Sequence, residues 1–170
     1  MTTASLLERA RAAAAAVPDP EIPAITLEDL GILREVRAEG GRVVVMLTPT
    51  YTGCPATQVI QQDVRDALAA AGIAQPDVRI TLSPPWTTDW ITDEGRRKLR
   101  EYGIAPPAHA ASGPAAAVVR FVPGAAGARP RCPRCGSGDT ERISEYGSTP
   151  CKALYRCVAC REPFDYFKPY

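Results

Sequence analysis

Four thiols carry the plainest chemistry in this chain. Cys132-Pro133-Arg134-Cys135 and Cys157-Val158-Ala159-Cys160 are two Cys-x-x-Cys pairs separated by 21 residues. Each pair can set two thiolates on one tight turn, and two such turns build a tetrahedral site of the kind that holds zinc. A module of about forty residues cannot bury enough surface to fold unaided, so a structural zinc there would supply folding free energy on the order of 10 kcal/mol. A second arrangement competes with this one. Cys151-x5-Cys157-x2-Cys160 approaches a ferredoxin-like spacing, but it departs by one residue and leaves Cys132 and Cys135 without a role. Under the zinc reading Cys151 is a spare thiol, either packed in the ribbon or exposed.

The sixth cysteine stands apart, in Leu47-Thr48-Pro49-Thr50-Tyr51-Thr52-Gly53-Cys54-Pro55-Ala56-Thr57. Before it, Arg42 to Leu47 is short, apolar and β-branched, as a buried strand is. After it, Val59, Ile60, Val64, Leu68 and Ala71 recur at helical spacing, so a helix is expected to open near Pro55, with Cys54 at or next to its N-cap. The positive end of that helix should favour a thiolate and lower the thiol's pKa. Cys54 is therefore a candidate reactive thiol or metal ligand, the plain alternative being a small buried hydrophobe. Asp19 and Glu21, in Asp19-Pro20-Glu21-Ile22-Pro23, lie on a loop that both prolines keep out of helix. From the residues alone they read as two solvated acids on a stiff loop at a helix stop.

The elements that must position these groups follow in order. Ser5-Leu6-Leu7-Glu8 fits a capping box before a helix with Leu6, Leu7, Ala10, Ala14 and Val17 on one stripe, ended by Pro18. Thr26 to Leu30 reads as one helical turn closed by Gly31. Residues 32–37 and 42–47 then form a hairpin, and Val78 to Leu82 a further strand. Strand, helix and strand in this order can form a crossover with both strands parallel, giving a small mixed sheet. Ser83 to Ile91 holds both tryptophans, expected to lid the core, on a loop that starts at the same sheet end as the Cys54 loop. Thr92 should cap a last helix whose Arg96, Arg97, Lys98 and Arg100 make a solvated face, closed by Gly103. The fold class is thus α+β: a small mixed β-sheet with flanking helices over residues 1–104, an Ala/Pro/Gly-rich linker over 105–130 with a short apolar run at Val118 to Val122, and a four-cysteine zinc ribbon over 131–170.

Composition narrows the function classes. Lysine and arginine number 20 against 19 acidic residues, a net charge of +1 that gives no reason to expect nucleic acid. Residues 131–170 hold seven basic and five acidic side chains, too even a balance for gripping phosphates. The ribbon also holds Tyr146, Tyr155, Phe164, Tyr166, Phe167 and Tyr170, six of the chain's eleven aromatics, which suit either a protein-docking tip or the ribbon's scant core. No stretch is apolar and long enough to span a bilayer, and the chain reads as cytoplasmic with no membrane partner. The single histidine, His109, lies among prolines and alanines, so His-dependent triads and Glu-x-x-His di-iron sites have no residues to use. Catalysis by this chain alone is not expected.

Asp19-Pro20-Glu21-Ile22-Pro23, Leu30-Gly31-Ile32 and the run Leu47 to Pro55 resemble the iron–sulfur assembly domain shared by SufT-like proteins and the cytosolic iron–sulfur targeting factors. Trp86-Thr87-Thr88-Asp89-Trp90-Ile91-Thr92, Tyr102-Gly103-Ile104-Ala105-Pro106-Pro107 and the ending from Cys151 to Tyr170 resemble the PaaD family, the D subunits encoded with phenylacetyl-CoA epoxidase. The resemblance covers essentially the whole chain. It implies an accessory protein of aerobic phenylacetate degradation rather than the oxygenating subunit. The epoxidase that such proteins accompany uses a di-iron subunit and a flavin and iron–sulfur reductase, so a maturation factor fits. That factor would hold iron or a nascent cluster transiently, with Cys54 as the thiolate and Asp19 and Glu21 as auxiliary ligands, besides its structural zinc. Its partners would be the oxygenase or reductase subunits and iron–sulfur assembly proteins, and a homo-oligomer is compatible with the sequence. An integral non-catalytic subunit is the alternative, and a zinc-ribbon nucleic-acid binder a weaker one.

Overall fold

The computed structural model describes residues 2–108 and 129–169. Most of the expected linker, its apolar run Val118 to Val122 and His109 lie outside the described residues. The chain divides into two compact units, one reaching Leu99 and the other covering Arg100–Pro169. No helix of the described residues is long and apolar enough to cross a membrane.

In the first unit, helix α1 spans Thr3–Ala15. Its cap is Thr2, whose hydroxyl accepts the Ser5 N–H, and not Ser5 as the capping-box pattern suggested. The helix therefore starts earlier, and Ser5 becomes a donor to the cap rather than the cap itself. Strands β1 (Leu33–Glu39) and β2 (Arg42–Leu47) pair antiparallel with Glu39 opposite Arg42, so only Gly40 and Gly41 turn the chain. Both have positive φ (57° and 80°), the left-handed pair that a two-residue hairpin demands. Helix α2 (Thr57–Ala70) buries Ile60, Val64 and Leu68, each worth about 1.5–3 kcal/mol of burial. It leads to β3 (Asp77–Ile80), which lies parallel to β2. The sheet order is β1-β2-β3, as the strand–helix–strand pattern requires. Arg37 and Arg79 link Glu35, Glu39 and Asp77 in ion pairs across β1 and β3.

Two details set the end of the sheet where both parallel strands stop. The Thr26 to Leu30 turn is closed reciprocally, the Thr26 N–H donating to Asp29 and the Asp29 N–H to the Thr26 hydroxyl. Trp86 is buried and donates its indole N–H to Leu30 O at 2.9 Å, so that tryptophan does lid the core. Trp90 instead lies under the Arg34 guanidinium, 3.5 Å from the ring centroid.

Helix α3 (Asp93–Tyr102) is capped by the Thr92 hydroxyl, which accepts the Gly95 N–H. Its basic residues are not simply a solvated face. Arg96 is buried and donates to Thr88 O at 2.7 Å, and Lys98 pairs with Asp29 at 2.7 Å. Burial alone would raise the Asp29 pKa, but Lys98 and the Thr26 N–H and hydroxyl overcome this and hold it below its ordinary value. A depressed carboxylate contributes stability that is complete above its unfolded pKa of about 3.9 and is lost as pH falls through the folded value. Lys98→Met should therefore lower neutral-pH stability by about 1 kcal/mol and move acid unfolding to higher pH, as read by thermal melts between pH 7 and 3.

The second unit contains a four-stranded sheet in the order β4-β7-β6-β5. Its strands are β4 (Ile104–Ala105), β5 (Thr140–Ser144), β6 (Lys152–Cys157) and β7 (Pro163–Phe167). The last three form an antiparallel ribbon, and β4 joins β7 in parallel, Ala105 beside Tyr166. Ala105, Cys132, Cys157 and Phe164 make a small buried core, with Tyr155, Cys160 and Tyr166 packed against it. Tyr155 stacks on Phe164 and meets Tyr166 edge-on. Most of the ribbon's aromatics thus serve its core, whereas Tyr146 is 64% exposed.

Candidate metal centre and thiol loop

Two backbone knuckles present the ribbon thiols. After Cys132, the Gly136 N–H donates to Cys132 O, and Gly136 takes φ +75°. After Cys157, the Cys160 N–H points at Cys157 Sγ from 3.5 Å. The four Sγ atoms of Cys132, Cys135, Cys157 and Cys160 lie within 4.8 Å of one another, with Cys132 to Cys160 at 3.8 Å and Cys135 to Cys157 at 3.5 Å. A tetrahedron with Zn–S bonds of about 2.3 Å has S···S edges of about 3.8 Å, so the donor set fits zinc in both chemistry and size. The thiols also compete for protons. The Cys160 N–H pulls Cys157 down to about 7, whereas Cys160, helped by the Glu162 N–H but opposed by burial and its thiol neighbours, is pushed up to about 12. A divalent cation replaces those protons and ends the competition.

Cys151 is not part of this array. It is buried, its Sγ 3.0 Å from the Thr149 hydroxyl and its carbonyl accepting the Lys168 N–H. The ferredoxin-like set of Cys151, Cys157 and Cys160 is therefore not brought together, and the spare thiol is a packed one.

Cys54 sits on the loop that follows β2. Leu47 pairs with Ile80, so this loop and the Trp86 loop leave the sheet at the same end. The helix after Cys54 begins at Thr57 with Ala56 as its cap, and Ala56 makes no side-chain cap bond. Cys54 thus lies two residues outside the cap, not on it. Its N–H donates to Tyr51 O, and its carbonyl accepts both the N–H and the hydroxyl of Thr57. Thr57, a hydroxyl three residues on, is a member of the loop that the sequence reading misses. The Thr at that offset is the signal that would have found it.

The expected low pKa of Cys54 is overturned. Burial raises it most. The Ala56 N–H and Thr57 hydroxyl pull the other way, but the charges of Glu21 and Asp19 add to the rise. Cys54 is half-buried, stands two residues outside the helix cap and feels two carboxylates. Asp19 is itself buried, its Oδ1 accepting the Glu21 and Ile22 N–H groups at 2.9 Å each. It anchors its own turn, so the picture of two solvated acids fails for Asp19. The structure brings both acids close enough to act on Cys54, yet among the described residues only the ribbon thiols converge as a metal-sized group.

This electrostatic arrangement has a measurable sign. At neutral pH Cys54 should react with iodoacetamide more slowly than a free cysteine, and the rate should climb with pH beyond about 9, followed by mass spectrometry of its peptide. Glu21→Gln removes one raising charge and should speed alkylation at neutral pH severalfold, leaving a residual elevation from burial.

Fold and site together define a two-part protein, an α+β unit with a thiol loop followed by a four-cysteine ribbon that fits zinc. Residues 7–85 are matched by the family described as iron–sulfur cluster assembly protein, and residues 119–168 by the PaaD zinc beta ribbon domain. The D subunit of a "Putative 1,2-phenylacetyl-CoA epoxidase" of Escherichia coli K12 is 49% identical over 156 residues, covering 89% of this chain and 86% of that protein. The chain belongs to the PaaD family. The first unit is also similar to the "Fe-S protein maturation auxiliary factor YitW" of Bacillus subtilis, with 33% identity over 50% of this chain and 84% of that one. In structure it is similar to the domain of unknown function DUF59 from Bacillus anthracis, with a TM-score of 0.53, 25% identity, and coverage of 57% of this chain and 93% of that one.

Proposed function

We propose that this chain is a cytoplasmic accessory protein of aerobic phenylacetate degradation that assists maturation of the iron–sulfur or di-iron centres of phenylacetyl-CoA epoxidase, and that it catalyses no reaction itself. The observation that carries this reading is the Cys54 thiol under the charges of Asp19 and Glu21, at the open end of two parallel strands in a domain of the iron–sulfur assembly family. The names of the relatives as maturation auxiliary factors support it.

In this reading Cys132, Cys135, Cys157 and Cys160 hold one structural zinc, which ties the ribbon together and takes no part in transfer. Iron, alone or as a nascent cluster, is cargo. When ferrous iron meets Cys54, the Fe–S bond forms as the thiol proton leaves to solvent. Asp19 and Glu21, whose charges disfavour the free thiolate, favour the arriving cation. Ligands of the client then displace the sulfur, and Cys54 regains its proton. The raised pKa keeps the empty thiol protonated, and so slow to oxidise, between deliveries.

The test is iron content in each oxygenase and reductase subunit produced with and without this chain. Maturation requires an iron deficit in at least one subunit produced without this chain, and turnover that no longer needs the chain once that subunit carries its metal. The name of the Escherichia coli relative favours a second reading, an integral non-catalytic subunit. A subunit co-purifies at fixed stoichiometry and stays necessary for turnover after the clients carry their metal, whereas a maturation factor does neither.

A further inference from the structure

We propose that Thr57 is the positioning residue of the Cys54 thiol: its hydroxyl, which donates to Cys54 O in the resting loop, turns its proton to the Cys54 sulfur once that sulfur carries negative charge, whether free or bound to iron. This rests on the reading of Cys54 as a thiol that takes up iron and gives it back.

The geometry begins at Cys54 O, which accepts the Thr57 hydroxyl at 2.8 Å and the Thr57 N–H at 3.3 Å. A helix threonine often bonds back to a carbonyl three or four residues earlier, and a single N–H already satisfies a carbonyl. Here the carbonyl belongs to the thiol's own residue, and the hydroxyl is near enough to that sulfur to pull on it. A hydroxyl has one proton and rotates to suit its acceptor. Only that proton has to turn, because the Thr57 N–H keeps the carbonyl satisfied. A neutral thiol is a weak acceptor, so the carbonyl holds the proton at rest. A thiolate accepts more strongly than a neutral carbonyl and draws the proton over.

The start of α2 matches this role. Its cap, Ala56, makes no side-chain bond, and its first turn contains no acid, although the helix dipole favours one there. A Glu in that turn would set a third negative charge beside a sulfur that already feels Glu21 and Asp19. The groups of this turn that pull on the sulfur are neutral donors instead, the Ala56 N–H and the Thr57 hydroxyl. The N–H is fixed by the backbone, whereas the hydroxyl answers to the charge of the sulfur. The same bond would hold an iron-bound sulfur in one orientation while the client's ligands approach.

The experiment uses the full chain without added iron, as wild type, Thr57→Val and Thr57→Ser. Each folded protein is alkylated with iodoacetamide at about pH 8, where the rate follows the thiolate, and then digested with trypsin. The peptide of residues 43–65, whose single cysteine is Cys54, is followed by mass spectrometry. Thr57→Val keeps the shape and the N–H and removes the hydroxyl. Loss of a hydrogen bond to a charged acceptor lowers the thiolate fraction about tenfold, and the more basic thiolate regains about threefold in nucleophilicity. Thr57→Val should therefore alkylate about threefold more slowly than wild type, and Thr57→Ser, which keeps the hydroxyl, at close to the wild-type rate. The sign separates this role from a structural one. A threonine that only ties the loop would, once removed, loosen it and relieve the burial that does most to raise the thiol's pKa, so alkylation would speed up. Faster or unchanged alkylation of Thr57→Val overturns the proposal, as does a Thr57→Ser protein as slow as Thr57→Val. The assay contains no iron, so its outcome stands apart from the iron deficit that decides the maturation reading: full iron loading by Cys54→Ser would sink that reading and leave the Thr57 donor in place.

Discussion

Replacing Cys135 by serine abolishes zinc binding and unfolds the ribbon, while the unit that ends at Leu99 keeps its melting transition. The expectation follows from how little else holds the ribbon together. One buried cluster is made of Ala105, Cys132, Cys157 and Phe164, with Tyr155, Cys160 and Tyr166 against it; two of its four members are themselves candidate ligands, and Ile104, Cys151, Ala153 and Phe167 are also buried. Burial on this scale cannot offset the chain entropy of some forty residues, so the metal must contribute on the order of 10 kcal/mol. Cys135 is the exposed member of the array, so serine there removes a ligand without opening a hole in the core. Elemental analysis should fall from about one zinc per chain to nearly none. Limited trypsin digestion should then cut at Arg142 and Arg156 while sparing Arg65 and Arg79 in the first unit. Iron with acid-labile sulfide in the wild-type protein, in place of zinc, would overturn the assignment. Joint melting of both units in the variant would show that they do not fold independently.

The zinc array was legible because its signal is local. Two Cys-x-x-Cys pairs specify two knuckles, and the backbone bonds that close them, such as Gly136 N–H to Cys132 O, lie within the same few residues. The hairpin and crossover were legible for a similar reason, since alternation and helical spacing report which side of an element faces the core. The Gly40-Gly41 turn names its own geometry. What the sequence could not supply depended on contacts between distant segments. Arg96 and Lys98 look like a solvated basic face until Thr88 and Asp29 are brought against them. The two-residue strand Ile104–Ala105 has too few residues to show any period, and its partner lies about sixty positions away on β7. Thr48 carries no sequence mark at all. That its buried hydroxyl has no partner among the described residues shows only in three dimensions.

Cys54 shows the same division within one residue. Its loop position between a strand and a helix was readable, and from it a lowered pKa followed if the helix end were the main influence. Placement reverses that sign, because burial and the charges of Glu21 and Asp19, some thirty positions earlier in the chain, outweigh the pull of the Ala56 N–H and the Thr57 hydroxyl. A thiol kept neutral until a cation arrives suits transient holding better than a permanently ionised one, which would bind metal tightly and oxidise readily.

Cys54→Ser should accordingly leave folding and zinc content unchanged while reducing iron delivery to the epoxidase by about tenfold or more, the scale on which perturbing a metal site lowers its affinity. Folding is spared because the loop is held by the backbone: Cys54 N–H to Tyr51 O, and Thr57 N–H and hydroxyl to Cys54 O, all survive the change. Zinc is spared because Cys54 is not one of the four converging thiols. What is lost is the one soft donor of the loop, and a hydroxyl does not replace a thiolate for iron at neutral pH. The measurement is phenylacetyl-CoA turnover by co-expressed epoxidase subunits, with iron determined in each subunit and zinc in the variant. Turnover and iron should fall together, and reconstituting the purified clients with ferrous iron and sulfide should restore both, since the defect lies in delivery and not in the clients. Full turnover with normal iron loading would reduce Cys54 to a packed thiol. The search would then move to Asp19 and Glu21, whose turn would remain in place without a thiol to serve, and to the exposed Tyr146 of the ribbon.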